Sequence, residues 1–221
     1  RNAGDAISMA QVAEGGLSTM NDLLQRMREL AVQASNAPNS AGSAGDIAKL
    51  DNEYKQLGAE LSRMLDATQF NGEKILNGSA SYVFQVGANA GAENQITIAN
   101  GDISLSGNAA FSAVASGGAS ATLITGTASA NTANIAALDA AISAVNDRRA
   151  SLGALQSRFE NTISYLRTAS ENQSAARGRI MDADFAAETA NLSRTQVLQQ
   201  AGTAMIAQAN QAPQQVLALL R

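Results

Sequence analysis

Asp182 and Asp184, in the stretch MDAD (181–184), are this chain's nearest approach to a paired carboxylate site for general acid–base work. Two carboxylates at i and i+2 ahead of a helical pattern more commonly cap that helix, by accepting bonds from its first amides and complementing its dipole. Capping is the expected role. The loop VGANAGAE (86–93) holds two glycines but no lysine behind them, so a phosphate cradle is not expected. The P-loop, the dinucleotide fingerprint and the calcium-loop pattern are absent. The chain has no Cys and no His. That removes the usual ligands for zinc, copper, haem and iron–sulfur clusters, and the commonest general base. No cofactor, metal or catalytic residue is assigned. A different feature stands out in LQRMRELAVQA (24–34), where Leu24, Met27, Ala31 and Ala34 form one helical stripe. Arg26, Glu29 and Leu30 lie off that stripe, on a face that is either solvent surface or a binding site.

The composition narrows the classes further. The 221 residues carry a formal net charge of -4, which argues against a nucleic-acid partner. No run of 18 apolar residues exists, so no membrane span is expected. Aromatics make up only 4%, while small and amide residues abound; such a chain suits close helix packing better than a deep ligand pocket. Arg1 is not a start methionine and nothing near it looks like a signal peptide, so the chain is expected to be a fragment lacking its natural N-terminus.

The elements that position these residues are read from spacing. From about Asp5 to Ala34, apolar residues at Ala10, Ala13, Leu17, Met20, Leu24, Met27, Ala31 and Ala34 alternate by 3 and 4, a heptad seam. Asn36-Ala37-Pro38 stops it. Asp46 is a plausible N-cap for a second helix, with Ile47, Leu50, Tyr54, Leu57, Leu61 and Met64 as its seam. Two heptad helices joined by a short polar loop predict an antiparallel hairpin. Asn-Gly pairs at 71–72 and 77–78, the run Tyr82–Val86 and the run Ile96–Ile98 predict one or two small β-hairpins.

No charge intervenes between Asp102 and Asp139, and that stretch reads as a flexible surface excursion. The alternative is a minimal β-rich lobe around ATLIT (121–125). A third heptad helix is predicted from about Asn134 to Arg177, with seam residues Ile135, Leu138, Ile142, Val145, Leu152, Phe159, Ile163 and Leu166. Arg149 and Gln156 interrupt that seam. Gly178 is expected to end the helix. A last helix carries Leu198, Gly202, Met205, Ala209, Ala212, Val216 and Leu219, and Pro213 should bend or break it. Its apolar tip QQVLALLR either buries against other copies or docks back onto its own chain.

Three blocks carry a family resemblance. RNAGDAISMAQVAEGGLSTMNDLLQRMRELAVQASN (1–36) resembles the N-terminal helical core of bacterial flagellin; TQFNGEKIL (68–76) with VFQVGANAG (83–91) resembles its hairpin. SLGALQSRFENTI (151–163) and the stretch from ARGRIMDADF to the chain end (176–221) resemble its C-terminal core. The resemblance implies a mainly α fold: an elongated heptad helix bundle, or rod, with a small β-hairpin region and a C-terminal helix. It divides the chain into 1–101 (rod and hairpin), 102–130 (a short variable excursion), 131–178 (rod) and 179–221 (inner-tube helix). The family's N-terminal inner-tube segment would be missing ahead of Arg1.

The implied function is that of a filament subunit, exported unfolded through the flagellar type III apparatus and polymerised outside the cell for swimming motility. The implied partners are other copies of the chain, an export chaperone on the C-terminal helix, and the flagellin-sensing Toll-like receptor of animal hosts. That receptor reads a motif resembling QRMRELAVQ (25–33) together with a glutamate on the second helix. Carried over by motif, Gln25, Arg26, Leu30, Gln33 and Glu53 are its contacts, with Arg26 as charged fork and Leu30 as apolar anchor. Leu198, Met205, Val216, Leu219 and Leu220 are the expected assembly residues. Two alternatives stay open: another secreted coiled-coil assembly protein, such as a filament-junction component, or an enzyme in the variable middle, which the lack of His disfavours.

Overall fold

The computed structural model describes the backbone of residues 1–36, 44–115 and 128–219, and the side chains of 1–36, 45–115 and 131–210. The chain divides into two units, Arg1–Arg167 and Thr168–Arg221. Helix α1 (Asn2–Ala34) opens the first. All eight predicted seam residues are buried, and Ala3, Ala6, Met9 and Leu30 join them. Leu30 corrects the expectation that it lies off the buried stripe: it is 1% exposed. It sits three residues after Met27 and four before Ala34, so helical geometry places it between them. The stripe widens there because α1 is flanked on two sides, by the second and third long helices.

The second helix, α2 (Ala44–Ala67), runs antiparallel to α1: Arg26 pairs with Glu53, while Gly16 lies beside Thr68 at the far end. A Cβ on Gly16 would stand 2.9 Å from Thr68 Oγ1 and 3.2 Å from Leu76 Cδ1, so any larger residue there would have to push these side chains aside. Asp46 is not the N-cap. The helix begins two residues earlier, leaving Asp46 in its first turn with Lys49 at 3.0 Å. Of the predicted α2 seam, Tyr54 and Leu61 are fully buried and the other four pack partly buried against the core.

Tyr54 is 1% exposed, and its hydroxyl has no hydrogen-bond partner among the described residues. Burial first, and the charge of Asp51 second, push its phenol from 10.0 up to about 12. The folded chain therefore holds a proton that the unfolded chain releases near pH 10. Stability from this group is fully present below about pH 10 and is lost as pH rises toward about 12. Urea midpoints measured at pH 9 and pH 11.5 should fall for the native chain, and Tyr54→Phe should flatten that fall. An unchanged slope in the variant would reject Tyr54 as its source.

Asn71 and Gly72 form a two-residue turn with φ values of 52° and 82°, as a mirror-image type I turn requires. It joins β1 (Gln69–Phe70) to β2 (Glu73–Lys74), which pair antiparallel. The second Asn-Gly pair makes no hairpin. Asn77 instead donates its side-chain amide to Asp66 Oδ1 at 2.7 Å, beside Lys74 at 2.9 Å, and the two hold the Asp66 carboxyl below its ordinary range, Lys74 more strongly. The predicted second hairpin is present as β3 (Tyr82–Gln85) against β4 (Gln95–Ile98), with Phe84 opposite Ile96. Ile96 and Ile98 face the core and Phe84 meets Phe159 edge-on at 5.9 Å. The loop between the strands is held by Gln85, the last residue of β3, whose amide donates to the carbonyls of Gly87 and Asn89.

Residues 102–115 are not the flexible excursion expected. A helical turn, α3 (Asn100–Ile103), and a short helix, α4 (Ala109–Ala115), bury Ile103, Leu105, Phe111 and Val114. Ser104 donates to the Leu76 carbonyl at 3.1 Å, Arg148 donates to the Ser104 carbonyl at 3.2 Å, and Ser62 donates to the Ala115 carbonyl. Four large apolar residues thus anchor a stretch otherwise made of small or polar residues. The ATLIT segment (121–125) lies outside the described residues.

The long helix α5 (Ala128–Met181) spans 54 residues, about 80 Å at 1.5 Å per residue. It begins before the predicted Asn134 and continues past Gly178, which adopts no left-handed conformation to stop it. Within the first unit it runs antiparallel to α1. Asn131 donates to the Ala34 carbonyl at 3.1 Å, Arg28 pairs with Asp139 at 2.6 Å, and Arg149 pairs with Glu14 at 2.7 Å. The seam interruption at Arg149 is thereby answered by a half-buried carboxylate. In the second unit, Asp184 caps α6 (Phe185–Leu219), accepting from the amides of Ala186 and Ala187 at 3.0 and 3.2 Å. Helix α6 continues through Pro213, whose missing amide removes one bond without ending a helix that has turns on both sides.

Candidate interaction surfaces

Two surfaces emerge, one on α1 and α2, the other along α6. On the first, Arg26 is held from two directions. Its Nε and Nη2 donate to Glu53 Oε1 at 2.9 and 2.8 Å, and its Nη1 donates to Glu29 Oε2 at 3.1 Å. Hydrogen bonding to Glu53, then to Glu29, raises the guanidinium pKa. The three side chains remain about half or more exposed, so the cluster is presented to solvent with its geometry set. Arg26, Glu29 and Gln33 follow at i, i+3 and i+7, one face of α1.

The structure therefore brings Arg26 and Glu53 into contact and leaves Gln25 and Gln33 exposed beside them. It removes Leu30 from the surface. The apolar side chain on this face is Val32, 48% exposed, which spacing alone did not single out because it is one residue from the seam. Arg28 is occupied by Asp139 and contributes to helix pairing.

On the second surface, the chain offers large apolar side chains to solvent along one helix. Leu198 is 65% and Met205 72% exposed, and Phe185, Leu192, Val197 and Ile206 are more than half exposed. The last four escaped the heptad reading, which followed a single line, whereas the exposed apolar band is wider. Val216 and Leu219 fall within α6 but their side chains, like all of Leu220, lie outside the described residues. Lone folded units rarely display such a band, since uncovered apolar area marks a contact site.

Residues 1–81 match the model of the bacterial flagellin N-terminal helical region, and residues 135–220 match that of the C-terminal helical region. This chain belongs to the bacterial flagellin family. Flagellin from Halalkalibacterium halodurans is 46% identical, over all of this chain and 77% of that protein. The flagellar filament 33 kDa core protein of Treponema phagedenis is 41% identical, over all of this chain and 78% of that protein. The crystal structure of Bacillus cereus flagellin superposes with a TM-score of 0.59 at 26% identity, covering 80% of this chain and 94% of that one. As a flagellin, the chain is a structural subunit of a filament. Among the described residues no helix is long and apolar enough to cross a membrane.

Proposed function

We propose that this flagellin polymerises outside the cell into the flagellar filament that drives swimming, with α6 burying its apolar band between copies. The observation that supports this most is that band: six large apolar side chains more than half exposed on one helix. A contact that joins unlike surfaces of identical copies propagates as an open helix, which is the geometry of a filament. In this reading, 1–101 and 131–178 supply the rod, 102–130 the variable excursion, and 179–221 the inner-tube helix. The same uncovered helix would be held by an export chaperone before secretion through the flagellar type III apparatus. Electron microscopy of the full-length protein after salt-induced polymerisation tests the reading; absence of filaments of any kind would reject it.

The monomer, in this proposal, is also recognised by the flagellin-sensing Toll-like receptor of hosts, through Gln25, Arg26, Gln33 and Glu53. A prearranged guanidinium between two carboxylates is supportive, because little side-chain freedom remains to be lost on binding. Leu30 enters only as the buried residue that holds α1 in place. Arg26→Ala should raise the half-maximal concentration for receptor signalling by about tenfold. Its melting temperature should stay close to that of the native chain, since exposed ion pairs stabilise little. Unchanged signalling would reject the assignment.

A further inference from the structure

The composition singles out one side chain for covalent change outside a cell. With no Cys, Trp or His, the thioether of methionine is the group in this chain most open to two-electron oxidants. There are six methionines, and the structure sorts them by unit. Met9, Met20 and Met27 are at most 1% exposed, and Met64 packs partly buried against the same core. Met181 and Met205, in the second unit, are 70% and 72% exposed. Oxidant reaches those two first.

Their surroundings differ. Met181 ends α5 at the turn into α6, beside exposed Ile180. Met205 sits within the apolar band, one heptad after Leu198 and next to Ile206. We propose that Met205 is an oxidation site whose sulfoxide switches the chain from assembly-competent to assembly-incompetent, with peroxides and hypohalous acids as the reacting class. In the peroxide case the sulfur lone pair attacks one peroxide oxygen and the O–O bond breaks. Sulfur gains that oxygen and loses two electrons, and the other oxygen leaves as water after taking up the proton. The product carries a strong acceptor dipole where the band offers only hydrocarbon, and burying it without a partner disfavours the contact. This rests on the reading above that α6 is buried between copies. On that reading an assembled subunit shields Met205, so the switch acts on unassembled chains.

The test begins with limiting hydrogen peroxide on the full-length monomer and peptide mass analysis. Met205 and Met181 should each gain one oxygen while Met9, Met20 and Met27 stay reduced; equal uptake at the buried residues would overturn the sorting. The critical concentration for polymerisation should then rise about tenfold, equivalent to 1.4 kcal/mol. Methionine sulfoxide reductase should reverse the rise. Met181→Leu should remain peroxide-sensitive and Met205→Leu should become insensitive. Normal assembly of chains fully oxidised at Met205, or persistent sensitivity in Met205→Leu, would overturn the switch. Should Met205→Leu not assemble at all, reversal by the reductase on the native chain decides instead. A native, reduced chain that forms no filaments would count against the filament reading itself, a result separate from any effect of peroxide.

Discussion

Leu198→Asp should abolish filament growth at protein concentrations where the native chain polymerises fully, and should leave the melting of residues 1–167 unchanged. The two halves of this expectation come from one fact, that Leu198 is 65% exposed. It is mainly exposed, and surface substitutions of that kind shift stability by within about 0.5 kcal/mol. In an assembled lattice the carboxylate would be taken out of water, a cost that Arg194, one turn earlier on the same helix, offsets only in part. Even a paired charge is costly to bury, enough to break an interface that tolerates many smaller changes. Sedimentation of polymer and thermal melting by circular dichroism read the two halves separately. Filaments of normal yield from Leu198→Asp would remove α6 from the assembly interface. A lowered melting temperature would show that the band instead serves folding.

Leu30→Ala should destabilise the first unit by about 2–5 kcal/mol, the range for emptying a closed leucine site. Leu30 is 1% exposed between Met27 and Ala34. Urea denaturation measures the loss directly, and Leu30→Met should keep most of the stability, since similar volume is retained. The consequence for receptor work is specific: reduced signalling by Leu30→Ala reports a damaged fold unless its melting curve matches the native one. A native-like denaturation midpoint for Leu30→Ala would overturn the burial and restore the residue as a surface anchor.

Much of the helical frame was legible in the sequence because a heptad seam is a local signal: every predicted seam position of α1 is buried. Leu30 was misread because a single stripe describes a helix with one neighbour, and α1 has two there. Residues 102–115 were misread for a different reason. Apart from four large side chains the stretch is small or polar residues, yet Ile103, Leu105, Phe111 and Val114 find a receiving surface that only the folded chain supplies. The two Asn-Gly pairs look alike in sequence, and what separates them is tertiary: Asp66 captures the amide of Asn77 but not that of Asn71. The α1 and α2 surface was visible as an unexplained face, but its pairing of Arg26 with Glu53 joins residues 27 apart and carries no local mark. Along α6 the apolar residues were plain, while their exposure on the helix is a property of the folded second unit.

A repeat that recurs every seven residues is degenerate: sliding α5 along α1 by one heptad would bring apolar residues back against apolar residues. The contacts Ala34–Asn131, Arg28–Asp139 and Glu14–Arg149 are 6 and 14 residues apart on α1 but 8 and 10 apart on α5, so they share no common period. Their polarity also alternates, with α1 presenting an acceptor, a cation and an anion in turn. A slip of one heptad would break all three at once and put no ion pair in their place, whichever way it ran. The apolar seam supplies adhesion without an address, and these three contacts supply the address, so a long helix pair built from repeats has one alignment rather than a ladder of nearly equal ones.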